Sequence, residues 1–218
     1  MAPCCTRAMG QLNSRRIFLA ALYVSALAAC AEPATDSPAA KPRAGTIPDE
    51  NIPGEQLLAQ PPDGWKQGYV TKTPVLRLAE FIPEGDTAAD WQEKVTFESL
   101  RGDPLPDPID FVAGIGDDQS TACERFEHVN IQSGLENNYP TSVRLLTCMR
   151  NKLTDKGEVS LVKAIQGNDH FYVITRTKRV PPIGEGDQPI SDEEMAEWSL
   201  FMRAITVCDT NREQHHCG

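Results

Sequence analysis

The alternation of apolar and polar residues predicts a chain built mainly of β-strands. Short segments rich in β-branched and aromatic residues, separated by turn residues, occur at 68–72, 75–82, 95–100, 125–133, 143–149, 158–165 and 171–177. The last four predict a meander of antiparallel strands, in which Gln166–His170 forms a hairpin turn. A turn near Tyr139-Pro140 would join the first two strands of that meander.

Helical periodicity predicts one long helix near the C-terminus and two shorter ones before the meander. Ser191-Asp192-Glu193-Glu194 is a capping box, which favours a helix start. After it, apolar residues share one helix face: Met195, Trp198, Met202 and Ile205. The shorter helices are predicted from Thr87 to Lys94 and over 111–123. The fold class is therefore α+β, with an antiparallel sheet of about six to seven strands and the C-terminal helix packed across it.

An apolar run precedes all of these elements. Residues 17–29 are almost entirely apolar, and the segment before them contains Arg7, Arg15 and Arg16 without any acidic residue. Thirteen apolar residues are too few for a comfortable membrane span and are typical of a signal peptide. We therefore predict a signal peptide over residues 1–29.

The end of this segment carries a more specific motif. Leu27-Ala28-Ala29-Cys30 resembles the lipobox of bacterial lipoproteins. The resemblance implies cleavage before Cys30, lipidation of Cys30 with two or three acyl chains (diacylglyceryl and an amide-linked acyl such as palmitate), and stable membrane anchoring. By the sorting rule of that family, the resemblance also implies that Ala31, which is not Asp, directs the protein to the outer membrane, facing the periplasm, in a host that has one.

A second motif overlaps the start of the signal peptide. Ser14-Arg15-Arg16-Ile17-Phe18-Leu19 resembles the twin-arginine export signal, although Ala20 replaces its final Lys. Export by the general route and export by the twin-arginine route both stay open.

The segment after Cys30 has the composition of a linker. Residues 31–62 contain seven of the 17 prolines, and Ala, Asp, Ser and Thr fill much of the rest. Such a segment buries too little apolar surface to fold. We predict a disordered tether over 30–64, with a reach of about 100 Å when extended, and a single domain over 65–218.

Net charge limits the kinds of partner. The chain has 21 Lys and Arg against 31 Asp and Glu, a net charge of −10. Nucleic-acid binding depends on clustered basic residues, so we expect no nucleic-acid partner. The expected partners are the membrane, through the lipid anchor, and another component of the envelope.

Four cysteines remain after Cys30, at positions 123, 148, 208 and 217. An even number in an oxidising compartment predicts two disulfides, and three pairings satisfy that count. We predict Cys123–Cys148 and Cys208–Cys217, the pairs nearest in sequence. The alternative is a zinc site in which His215 and His216 join Cys208 and Cys217; we predict no metal or other cofactor.

Motifs of common enzymes are missing from the sequence. The acids at Asp103, Asp107, Asp110, Asp117 and Asp118 lack calcium-loop spacing and are predicted to be solvated. His128 and His170 are predicted to be ordinary strand or hairpin histidines. We predict a non-enzymatic envelope lipoprotein whose domain is a binding or structural module presented on a tether. An envelope enzyme with a spatially assembled site, or a metal-binding protein using the tail, is the alternative.

The order of predicted elements is similar to that of the Mog1/PsbP-like group, which includes small bacterial envelope lipoproteins. The similarity covers Trp65 to about Val207 and rests on element order without a shared motif. It implies a fold and carries over no functional residue.

Overall fold

A computed structural model of the chain describes residues 53–215 and Cys217, without the side chains of residues 116–120. The predicted signal peptide, the two export motifs, Cys30 and the tether up to residue 52 lie outside the described residues. Neither helix of the described part is long and apolar enough to cross a membrane.

Strands dominate the described chain. In order, the elements are β1 (Glu55–Leu58), β2 (Trp65–Lys72), β3 (Leu76–Pro83), β4 (Glu93–Leu100), α1 (Pro108–Ala122), β5 (Phe126–Glu136), β6 (Tyr139–Cys148), β7 (Gly157–Gln166), β8 (Phe171–Val180), α2 (Asp192–Ala204) and β9 (Thr206–Asp209).

Seven strands form one antiparallel sheet in the order β2-β3-β4-β8-β7-β6-β5. The predicted α+β class is confirmed, and so is the four-strand meander, which is β5 to β8. Strands β1 and β9 form a separate antiparallel pair that the sequence did not predict. Strand β1 also lies inside the range predicted as tether. It was missed because its partner is more than 140 residues away, so no local pattern in the sequence indicates the pairing.

Helices cover both faces of the sheet. On one face, Trp198 and Met202 of α2 are buried in a large core that includes Phe97, Tyr139 and Ile174. On the other face, a smaller core forms around α1, with Val112 fully buried. Alternation along each strand supplies both cores, since successive side chains point to opposite faces.

Side-chain caps begin both helices. The Ser191 hydroxyl accepts from the Glu194 backbone N–H at 3.2 Å, and the Glu194 carboxylate accepts from the Ser191 N–H at 3.0 Å, which confirms the predicted capping box. Helix α1 begins three residues before its predicted start. Asp107, predicted to be a solvated loop acid, is exposed and also accepts from the Ile109 N–H at 2.8 Å as an N-cap residue ahead of Pro108.

The helix predicted over 87–94 is wrong. The Thr87 hydroxyl does accept from the Asp90 N–H at 3.1 Å, as an N-cap would. The backbone does not continue as a helix, because Glu93–Leu100 pairs with β3 on one side and β8 on the other. Strand β4 takes the last two residues of the predicted helix, and one local cap does not hold the six that remain in a helix.

The turn between β5 and β6 lies two residues before its predicted place. Asn137 and Asn138 have φ of 46° and 63°, the left-handed pair that joins antiparallel strands in a two-residue hairpin. Tyr139 and Pro140 instead begin β6.

Candidate functional site

Both cysteine pairs are at disulfide distance. Cys123, at the end of α1, bonds to Cys148 at the end of β6, with 5.5 Å between their Cα atoms. Cys208 of β9 bonds to Cys217 in the tail, with Cα atoms 4.9 Å apart. This is the pairing predicted from the sequence.

The tail bridge uses the two sulfurs that the zinc alternative required. The His215 ring stacks on Tyr139 with centroids 4.0 Å apart, and its Nδ1 lies 3.0 Å from the Asn137 carbonyl oxygen. His216 lies outside the described residues. Within those residues, no group of three or more His, Cys, Asp or Glu side chains is placed to hold a metal ion.

The other singled-out residues lie apart from one another. Asp103 and Asp110 are exposed, and so is His128 on the edge strand β5. The side chains of Asp117 and Asp118 are not described. His170 is the exception, since it borders a cleft beside strand β1.

We call this the β1 cleft: an open cavity of about 370 Å³ between β1 and one face of strands β2, β3 and β4. Its floor is apolar and includes Leu57, Val70, Ala79 and Phe97. Lys72, Arg77 and Arg101 stand at its rim, and His170 and Tyr172 close its inner end. The volume lies within the range of about 300–1,000 Å³ that small-molecule sites occupy.

Strand β1 is held in place by a buried carboxylate. Glu55 accepts from the backbone N–H groups of Asn168, Asp169 and His170 in the β7–β8 turn, and from the Tyr172 hydroxyl at 3.2 Å. Its side chain is 1% exposed. A cluster of backbone N–H groups is a natural anion site, and here the site is filled by the chain itself.

The turn that accepts Glu55 requires glycine at position 167. A Cβ atom there would fall well inside contact distance of the Glu55 carboxylate and of the His170 carbonyl oxygen. The glycine in the predicted hairpin turn is therefore explained by the close approach of a side chain from β1.

The Glu55 carboxylate and the Nε2 atom of His170 already have hydrogen-bond partners. His170 Nε2 accepts from Arg101 Nε at 2.9 Å, so the proton of the neutral ring is on Nδ1, 3.9 Å from the Glu55 carboxylate. Burial, followed by the Arg101 charge, lowers the pKa of His170. Burial and the Glu55 carboxylate raise the pKa of Tyr172. The lone pair that a general base would use is therefore occupied.

Sequence reasoning missed most of the cleft. Lys72 and Arg77 flank the predicted turn at Thr73-Pro74, so pairing the two predicted strands would have placed them opposite one another. Glu55 and Arg101 had no comparable signal, because distant segments bring them to the cleft.

No family model and no curated protein matches the chain. Among solved structures, it is similar to a mutant of the protein Mog1, at 15% identity over 66% of this chain and 78% of that chain, with a TM-score of 0.37. It is also similar to the Saccharomyces cerevisiae Ran-binding protein Mog1p, at 14% identity over 73% of this chain and 93% of that chain, with a TM-score of 0.40. Mog1 gives its name to the group that the order of predicted elements resembled. At these values the likeness carries no argument about function.

Proposed function

We propose that this protein is a lipid-anchored envelope protein whose domain binds another envelope component in the β1 cleft. The lipobox at Leu27–Cys30 supports the anchor, and Ala31 supports placement in the outer membrane, facing the periplasm. The proline-rich segment after Cys30 would let the domain act at a distance from the bilayer.

The cleft is the observation that carries the binding role. It joins an apolar floor to a charged rim, the combination that ligand sites use for affinity and orientation. The alternative, an enzyme with a spatially assembled site, would need a free base beside a nucleophile. In the cleft, the Glu55 carboxylate is held by backbone N–H groups and His170 Nε2 by Arg101, which favours binding over catalysis.

Membrane fractionation tests the anchor. Replacing Cys30 by Ser should move the protein from the membrane fraction to a soluble or uncleaved form with changed gel mobility. Cys5→Ser is the matched control, because Cys5 lies in the segment that cleavage removes, and it should leave attachment unchanged. Membrane attachment and mobility unaltered by Cys30→Ser would exclude the lipid anchor.

Photo-crosslinking in the native envelope tests the cleft. A photo-crosslinking amino acid at Val70, which is 55% exposed on the floor, should capture a specific component. The same amino acid at Leu153, which is 90% exposed outside the cleft, is the control. Capture of the same component in equal yield from both positions, or from Leu153 alone, would contradict binding in the cleft.

A further inference from the structure

Three basic residues at the rim of the cleft lack an acidic partner within the described residues. Lys72, Arg77 and Arg101 make no ion pair there, and among their side chains one hydrogen bond is present, from Arg101 to the neutral His170 ring. Most other basic side chains of the sheet are paired with an acid, including Lys94, Lys163, Arg176, Lys178 and Arg179. In a chain of net charge −10, unpaired positive charge gathered at one rim needs an explanation.

Two of these charges lie directly opposite each other on adjacent strands. Lys72 of β2 is the direct cross-strand partner of Arg77 of β3. Like charges directly opposite one another destabilise an antiparallel pair. A local feature that works against folding is typical of a functional site.

An apolar surface continues from these charges into the cleft. Val70 and Ala79 are the next cross-strand pair on the same face, and Phe97 lies opposite Ala79 on β4. Val70 is 55% exposed, whereas Ala79 and Phe97 are buried at the base. Leu57 of β1 lines the other side.

The acids near the cleft do not neutralise the rim. The Glu55 carboxylate is buried and held by backbone N–H groups of the β7–β8 turn. Glu98 also borders the cleft, but alternation along β4 turns its side chain to the opposite face, where Leu78 is its cross-strand partner. The rim therefore keeps its positive charge toward the opening.

We propose that the β1 cleft binds a single-chain amphiphile with a carboxylate head, that is, a long-chain fatty acid. The carboxylate lies between the Lys72 ammonium and the guanidinium groups of Arg77 and Arg101, whose planar fork matches the geometry of a carboxylate. The alkyl chain lies on Val70, Ala79, Phe97 and Leu57. A cavity of about 370 Å³ is near the lower limit for ligand sites and suits one chain rather than two. This inference rests on the proposed binding function and specifies its ligand.

Laurate binding to the full chain carrying Cys30→Ser, exported so that its bridges form, tests the proposal by calorimetry below the micelle concentration. Laurate should bind saturably with one site per chain. Dodecyl maltoside has the same alkyl chain with a neutral head, and acetate has the head alone. Each should bind at least about tenfold more weakly, because dodecyl maltoside lacks the charged head and acetate lacks the alkyl chain.

Variants of exposed residues can locate the site, because substitutions at exposed positions change stability little. Lys72→Gln with Arg77→Gln should weaken laurate binding at least about tenfold, as expected when charge-assisted hydrogen bonds are lost. Arg203→Gln, an exposed charge on α2, should not change it. Val70→Asp should abolish binding, whereas Leu153→Asp should leave it intact.

Three results would overturn the proposal: no saturable laurate binding, equal affinity for dodecyl maltoside, or equal affinity for acetate. If crosslinking from Val70 still captures an envelope component in such a case, the cleft binds a different ligand and the proposed function stands. If Val70 captures nothing specific as well, both the ligand and the function are wrong.

Discussion

Two regions on the same face of the large sheet differ in whether their basic side chains are buried and paired with acids. Under α2, Lys163 and Arg176 are almost fully buried and each is paired with an acidic side chain. In the β1 cleft, Lys72, Arg77 and Arg101 are exposed without an acidic partner among the described residues. The basic residues under α2 stabilise the fold, and those of the cleft are available to bind a ligand.

The buried lysine shows how the first region works. Lys163 Nζ donates to the carbonyl oxygens of Met202 and Ile205 at 2.9 and 2.8 Å, and pairs with the Glu136 carboxylate. It thus caps the C-terminal end of α2 from inside the sheet. Burial lowers the pKa of Lys163 and the Glu136 contact opposes that shift. A buried charge of this kind is tolerated because its partners are complete.

Arg176 serves the same region through aromatic contacts. Its guanidinium lies 5.1 Å from the Trp198 ring centre and donates to Glu197 at 2.9 Å and Glu93 at 3.2 Å. Both cations therefore attach α2 to the sheet, whereas neither helix of the described part contributes a residue to the cleft. On this face of the sheet, a basic side chain stabilises the fold where α2 covers it and is available to a ligand where α2 does not.

The largest expected effect comes from a bridge that belongs to neither region. Replacing Cys123 and Cys148 together by Ser should lower the free energy of unfolding by about 3.5 kcal/mol, from the loss of loop constraint in the unfolded chain. Urea unfolding measures the change. Laurate binding by the remaining folded protein should be unaltered, and a loss of binding would show that the cleft depends on α1.

Breaking the paired region should have a similar effect. Lys163→Met keeps the side-chain length but leaves the Glu136 carboxylate and two helix carbonyls without their donor. We expect a loss of about 3 kcal/mol in the free energy of unfolding, as for other broken buried pairs. A change below about 1 kcal/mol would mean that the charge is not needed by the fold.

The tail bridge links stability to the cleft. Cys208→Ser with Cys217→Ser should cost about 2.7 kcal/mol, less than the first bridge because the closed loop is shorter. Since β9 pairs with β1, amide hydrogen exchange should accelerate at Glu55–Leu58 beyond the global change. Exchange that rises equally throughout the sheet would contradict a local role.

A smaller effect is expected from the carboxylate that fixes β1. Glu55→Gln keeps the shape but loses the charge that three backbone N–H groups contact, for a cost of about 2 kcal/mol. The amides of Asn168, Asp169 and His170 should lose protection in hydrogen exchange. Retained protection at these amides would show that the turn does not depend on Glu55.

Local patterns predicted most of the main sheet and α2. The capping box at Ser191 and the apolar residues Trp198 and Met202 marked α2, because helix starts and buried faces have short-range signatures. The helix predicted from Thr87 is wrong because, although its cap is present, the backbone enters β4 at Glu93. Strand β1 was not predicted because β9, with which it pairs in the described part of the chain, is distant in sequence.

The candidate site was harder to predict than the fold. The cysteine pairing followed from spacing along the chain, but the cleft depends on register. Arg77 and Arg101 line the same cleft because β3 pairs with β4, and His170 reaches Glu55 because β1 passes the β7–β8 turn. Spacing along the sequence does not indicate which distant residues strand pairing brings together.

Urea unfolding of the variant Lys72→Gln with Arg77→Gln tests the contrast between the two regions most directly. If these charges serve a ligand, removing them should leave the free energy of unfolding within about 0.5 kcal/mol of the parent or raise it slightly, because a like-charge pair is relieved. A loss of more than about 1.5 kcal/mol would show that the rim charges stabilise the fold, and would contradict the account.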